Sequence, residues 1–81
     1  MTAPKAEQLY RIPEFPKHLQ VTILTLLRLG RATATKVAQG TGKARAVESA
    51  YLNQLVVMKI ARKEKENRKA FFSIIIEALN W

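Results

Sequence analysis

The chain has 81 residues, 14 Lys and Arg against 6 acidic side chains, a formal net charge of +8 and no cysteine. That length fits one domain with a thin core, which buries about 60% of the surface its unfolded chain exposes, and the lack of Cys excludes disulfide staples and thiolate metal sites. The positive excess favours a polyanion as partner, either nucleic acid or an anionic membrane.

Residues 1–15 read as an N-terminal arm with Pro4, Pro13 and mixed polar side chains, in which Leu9, Tyr10 and Ile12 are the available apolar anchors. The arm lacks the apolar run of a secretory signal. No stretch nears the roughly 18 apolar residues of a membrane-spanning helix, so a cytoplasmic, nucleoid-associated protein is expected. Residues 16–76 carry the domain. Pro16 suits the first position of a helix, where its missing N–H costs nothing. In "PKHLQVTILTLLRLG", Leu19, Ile23, Leu26 and Leu27 recur at three- and four-residue spacing, and Gly30 supplies the stop.

Thr33 is an N-cap for a short second helix over 34–39, with Val37 and Ala38 inward, and Gly40 and Gly42 end it in a tight turn. The third helix, 45–58, carries an apolar stripe of Val47, Tyr51, Leu55 and Met58 with Leu52 beside it. At about 100° per residue, Arg45, Ser49, Asn53 and Val56 then project from the opposite face. In "RKEKENRKAFFSIII", five basic and two acidic side chains fill the first eight positions, and the charge then gives way to Phe and Ile. Two β-prone runs joined by the polar "ENRK" make a hairpin whose charged tip meets solvent and whose apolar root meets the helices. The tail, 77–81, extends that strand or begins a truncated helix.

Catalysis finds no constellation. A Ser-His-acid arrangement would have to draw on His18, Ser49 and a Glu from separate segments, and Asp is absent. No His or Cys pair has metal-ligand spacing, so neither metal nor cofactor is expected. No small-molecule ligand site is evident, and the basic residues lie on a turn and not along one amphipathic helix, which argues against a membrane surface.

Helix, short segment, helix, tight turn, helix, hairpin is the order of an α+β winged helix. "ATATKVAQGTGKARAVESAYLNQLVVMKIARK" resembles the helix-turn-helix and first wing strand of ArsR- and MarR-type regulators, in a small prokaryotic or archaeal form. The resemblance rests on Ala32-Thr33, on Ala38 to Thr41-Gly42, on Val47, Leu52 and Leu55, and on Ile60-Ala61 where the wing strand begins, and it covers about residues 19–76. Three positions depart from the pattern. Lys59 stands where Gly is frequent, which predicts a turn that is either strained or built differently. Ala44 stands where a Ser or Thr cap is usual, and Glu48 is unhelpful near phosphates.

The resemblance implies double-stranded DNA as partner, with the third helix in the major groove and the hairpin as a wing on the backbone. The side chains agree. Arg45 matches a guanine edge, Asn53 an adenine, and Ser49 either a base or a phosphate. Arg31, Lys36, Lys43, Arg62, Lys63, Lys65, Arg68 and Lys69 suit phosphates, which position a protein without reading sequence. A homodimer is expected through Leu9, Tyr10, Ile12, Phe15, Leu79 and Trp81, apolar residues flanking both ends of the domain. The rival reading is a winged-helix adaptor for protein–protein contacts within a nucleic-acid-processing assembly.

Overall fold

The computed structural model of the chain describes residues 12–79. A 3₁₀ turn at Ile12–Glu14 leads into helix α1, Lys17–Leu29. Pro16 is the cap residue before α1, and its carbonyl accepts from the N–H groups of Leu19 and Gln20 at 2.9 and 3.0 Å. Gly30 ends α1 at φ 82°, where its N–H reaches the Leu26 carbonyl at 2.8 Å. Strand β1, Arg31–Ala32, follows, then α2, Ala34–Thr41, and α3, Arg45–Val57. Strands β2, Ala61–Glu66, and β3, Lys69–Ile74, form the hairpin, and a single helical turn, α4, Ile76–Leu79, closes the described chain.

Local chemistry explains most of these boundaries. The Thr33 hydroxyl caps α2 by accepting from the Lys36 N–H at 3.3 Å, one of the donors a helix start leaves unpaired. Gly42 ends α2 in the left-handed region at φ 77°, which glycine adopts without steric cost. Gly40 differs from the expectation: it lies inside α2, and a Cβ there would come 2.8 Å from Thr25 Cγ2 of α1. Its missing side chain lets two helices approach closely, and it does not end the helix. α3 begins at Ala44 with no side-chain cap, as its composition predicts. Lys59 holds φ 62° between α3 and β2, a left-handed geometry that costs a non-glycine residue about 1–2 kcal/mol. Asn67 and Arg68, at φ 52° and 67°, make the two-residue turn between Glu66 and Lys69, the mirror-image turn whose twist matches a hairpin.

The sheet holds three antiparallel strands in the order β1-β3-β2, not the two of the expected hairpin. Arg31 faces Ser73 and Ala32 faces Phe72. Two buried clusters make the core. One joins Leu26, Ala32, Ala34, Val37, Leu52 and Phe72. The other joins Ile12, Phe15, Leu19, Ile23, Leu55, Ile60, Ala61 and Leu79. Val56 and Ile74 pack against both.

This core corrects three expectations. Ile12, Phe15 and Leu79, expected at a dimer interface, are 0, 7 and 0% exposed within a single copy; the 3₁₀ turn and α4 fold back and cover the chain's own core. Leu9, Tyr10 and Trp81 lie outside the described residues. On α3 the buried face is rotated from the expected stripe. Glu48, Leu52 and Leu55 are buried, Val47 and Met58 are exposed, and Val56, expected to project outward, packs inward. Glu48 is fully buried, with Thr22 Oγ1 of α1 donating to one carboxylate oxygen at 2.7 Å and Thr41 Oγ1 of α2 to the other at 2.9 Å. The acidic residue read as a hindrance to phosphates thus joins three helices from inside.

Candidate nucleic-acid interface

Period-2 alternation sorts the wing's charges. Along β2, Ala61, Lys63 and Lys65 share one face, set opposite Ile74, Phe72 and Ala70 of β3. Ala61 and Phe72 are buried there, so this is the face turned toward the helices, and its two lysines continue that face outward past the core. Arg62, Glu64 and Glu66 share the other face. In "RKEKE" the sequence therefore places both lysines with the helices and both glutamates away from them.

Between α2, α3 and the inner face of the hairpin lies a cleft of ≈590 Å³. From α2 it is lined by Thr33 at the cap, Thr35, Lys36 and Gln39; from α3 by Arg45, Ser49 and Asn53; from the wing by Lys63, Arg68 and Lys69, with Phe72 at the base. Five cationic residues and no acidic one border it, with Lys69 entering from the turn end of β3 across from Glu66. The spacing on α3 explains its three members. Residues 45, 49 and 53 are each four apart and so fall on one side of the helix, the side beside the buried Leu52.

Seven of the residues singled out from the sequence meet in this cleft: Lys36, Arg45, Ser49, Asn53, Lys63, Arg68 and Lys69. Lys65 stands on the same strand face nearer the tip. The other three cations stand elsewhere. Arg31 lies on the outer face of the sheet, its guanidinium 2.8 Å from Glu66 and 4.0 Å above the Phe71 ring. Arg62 shares that outer face across from Ser73. Lys43 lies in the loop before α3, its ammonium 5.4 Å from the Tyr51 ring, and that ring is in turn 4.7 Å from the ring of His18. Thr35 and Gln39 went unnoticed in the sequence, although with Lys36 they form the exposed i, i+1, i+4 side of a helix whose inward residues were identified.

One side-chain hydrogen bond links the wing to α3, and a second, within α3, holds its acceptor. Lys63 Nζ donates to Asn53 Oδ1 at 3.2 Å, and Asn53 Nδ2 donates to the Ser49 carbonyl at 2.8 Å. The cleft as a whole is a concave, cation-lined surface with hydroxyl and amide donors. Its chemistry suits a chain of phosphates and the edges of bases beside it.

No protein-family model matches the chain. An uncharacterized protein of Archaeoglobus fulgidus is 42% identical over 59 residues, which are 73% of this chain and 80% of the archaeal one. Among solved structures, a predicted DNA-binding transcriptional regulator from E. coli superposes with a TM-score of 0.70 at 20% identity, over 90% of this chain and 76% of that one. A mutant form of Lactococcus lactis ZitR superposes with a TM-score of 0.67 at 17% identity, over 96% of this chain and 51% of that one. At those identities the two structures speak for the fold, while the archaeal relative speaks for descent. The chain belongs to the same family as that Archaeoglobus fulgidus protein, and it folds as a winged helix.

Proposed function

We propose that the chain is a double-stranded-DNA-binding transcriptional regulator whose α3 enters the major groove while the wing lies on the phosphate backbone. The observation that carries this is the cleft, where five cations from α2, α3 and the hairpin converge without an acidic neighbour. The shared fold of the E. coli protein, a predicted DNA-binding transcriptional regulator, supports it.

α3 has 13 residues and so runs about 20 Å, and its diameter of about 10–12 Å with side chains fits a major groove about 12 Å wide. Arg45 and Ser49 lie where base edges would pass. Lys36, Lys63, Lys65, Arg68 and Lys69 flank them as phosphate contacts. Arg31 and Arg62 face away from that surface, so they take no part in it. One copy of the domain supplies this surface, with Ile12, Phe15 and Leu79 used inside its own core.

A gel-shift titration with a mixed-sequence duplex tests it. Removing one cation that neutralises a phosphate should weaken binding about eightfold at about 0.1 M salt. Lys36→Ala with Arg68→Ala should therefore cost about 50-fold or more. Arg31→Ala with Arg62→Ala, which removes the same charge from the outer face, should cost only a few-fold. Equal effects from the two pairs, or no binding by the unmodified protein, would contradict the proposal.

A further inference from the structure

Asn53 is the residue on α3 whose amide suggests adenine reading, yet both ends of that amide are engaged within the protein. Its Nδ2 donates to the Ser49 carbonyl one turn back at 2.8 Å, and its Oδ1 accepts from Lys63 at 3.2 Å. A bidentate contact to adenine uses the amide oxygen and nitrogen together; one lone pair and one N–H of the amide stay open, but the two bonds fix its plane between the helix and the wing. Lys63 is confined from a second side as well. Its backbone pairs with Phe72, and its ammonium lies 5.7 Å from the Phe72 ring centroid at the base of the cleft. An ammonium has three N–H donors; one is spent on Asn53, and the rest remain for an anion in the cleft.

Resting on the DNA-binding reading above, we infer that Asn53 is a positioning residue: it holds the Lys63 ammonium in the cleft for a backbone phosphate and ties the wing to α3. The Ser49 carbonyl fixes the Asn53 side chain against the helix, and Asn53 fixes Lys63. A lysine ordered before binding loses less side-chain freedom when a phosphate arrives. Asn53 therefore contributes to affinity on every sequence and selects none, and its whole contribution passes through Lys63.

A double-mutant cycle on poly(dA–dT) and poly(dG–dC) duplexes tests this. Lys63→Ala should weaken binding to both polymers about eightfold at about 0.1 M salt. Asn53→Ala should weaken both by one common factor, about two- to tenfold. The double variant should bind as Lys63→Ala alone does, because Asn53 then has no ammonium to hold. A loss confined to poly(dA–dT) would overturn the inference by making Asn53 a base reader. Losses that multiply in the double variant would overturn it too, and that is also the pattern a mere loss of folding would give. Failure of the unmodified protein to bind either polymer would instead overturn the DNA-binding reading, and this assignment with it.

Discussion

Replacing Thr22 by Val exchanges one hydroxyl for a methyl group in the middle of α1 and takes a hydrogen bond from the buried carboxyl group of Glu48. Glu48 is 0% exposed, and its carboxylate makes no ion pair among the described residues. Its two oxygens are held instead by the hydroxyls of Thr22 at 2.7 Å and Thr41 at 2.9 Å. Losing one partner leaves a carboxyl oxygen buried and unpaired, which costs about 1–3 kcal/mol. Thr22→Val should therefore destabilise the fold by about 1–3 kcal/mol, a large part of the roughly 4–12 kcal/mol expected of a domain this size. Urea unfolding followed by circular dichroism measures it, with the midpoint lowered and the slope unchanged.

Glu48→Leu supplies the control for this prediction. Without the carboxylate, the Thr22 hydroxyl still has the His18 carbonyl 3.2 Å away, so Thr22→Val should cost under about 1 kcal/mol in that background. A Thr22→Val protein within about 0.5 kcal/mol of the original, or one equally destabilised in both backgrounds, would refute the idea that this pair pins α3 to α1.

Three further substitutions follow from backbone geometry. Lys59→Gly should raise the melting temperature, by about 1 kcal/mol of stability, because φ 62° strains lysine and not glycine. Gly40→Ala should lower it by about 1–2 kcal/mol in calorimetry, against the usual gain in a helix, since the new methyl would lie 2.8 Å from the stiff Thr25 side chain. Arg68→Gly should move two readouts in opposite directions: Asn-Gly favours the mirror-image turn and raises thermal stability, while removal of the cation weakens DNA binding about eightfold at about 0.1 M salt.

Much of this was legible because single residues carry it. Gly30, Thr33 and Gly42 punctuate the helices by their own conformational and hydrogen-bonding preferences. The step from charge to aromatic residues after Lys69 marks where the hairpin leaves the core, and Lys59 gave away its strained turn. What was hidden depends on distant partners. Strand β1 is two residues long, too short for alternation, and exists because Ser73 and Phe72 lie opposite it. The rotation of α3 is hidden in the sequence because Val47 is apolar and Glu48 is acidic. Tertiary packing reversed them by supplying two threonine hydroxyls to the carboxylate. Ile12, Phe15 and Leu79 are apolar residues at the ends of the chain, and only the folded topology brings them onto Ile23 and Leu55. The cleft was partly visible as cations, but the split of Lys63 and Lys65 from Arg62 appears only once the strand's register is known.

The salt dependence of binding to a mixed-sequence duplex tests the central claim most directly. Five cations, Lys36, Lys63, Lys65, Arg68 and Lys69, are the proposed phosphate contacts, and each phosphate neutralised contributes about −0.9 to the slope of log affinity against log salt concentration. Fluorescence anisotropy from about 50 to 300 mM salt should therefore give a slope between about −4 and −5. A flat dependence, or no binding at the lowest salt, would contradict the account.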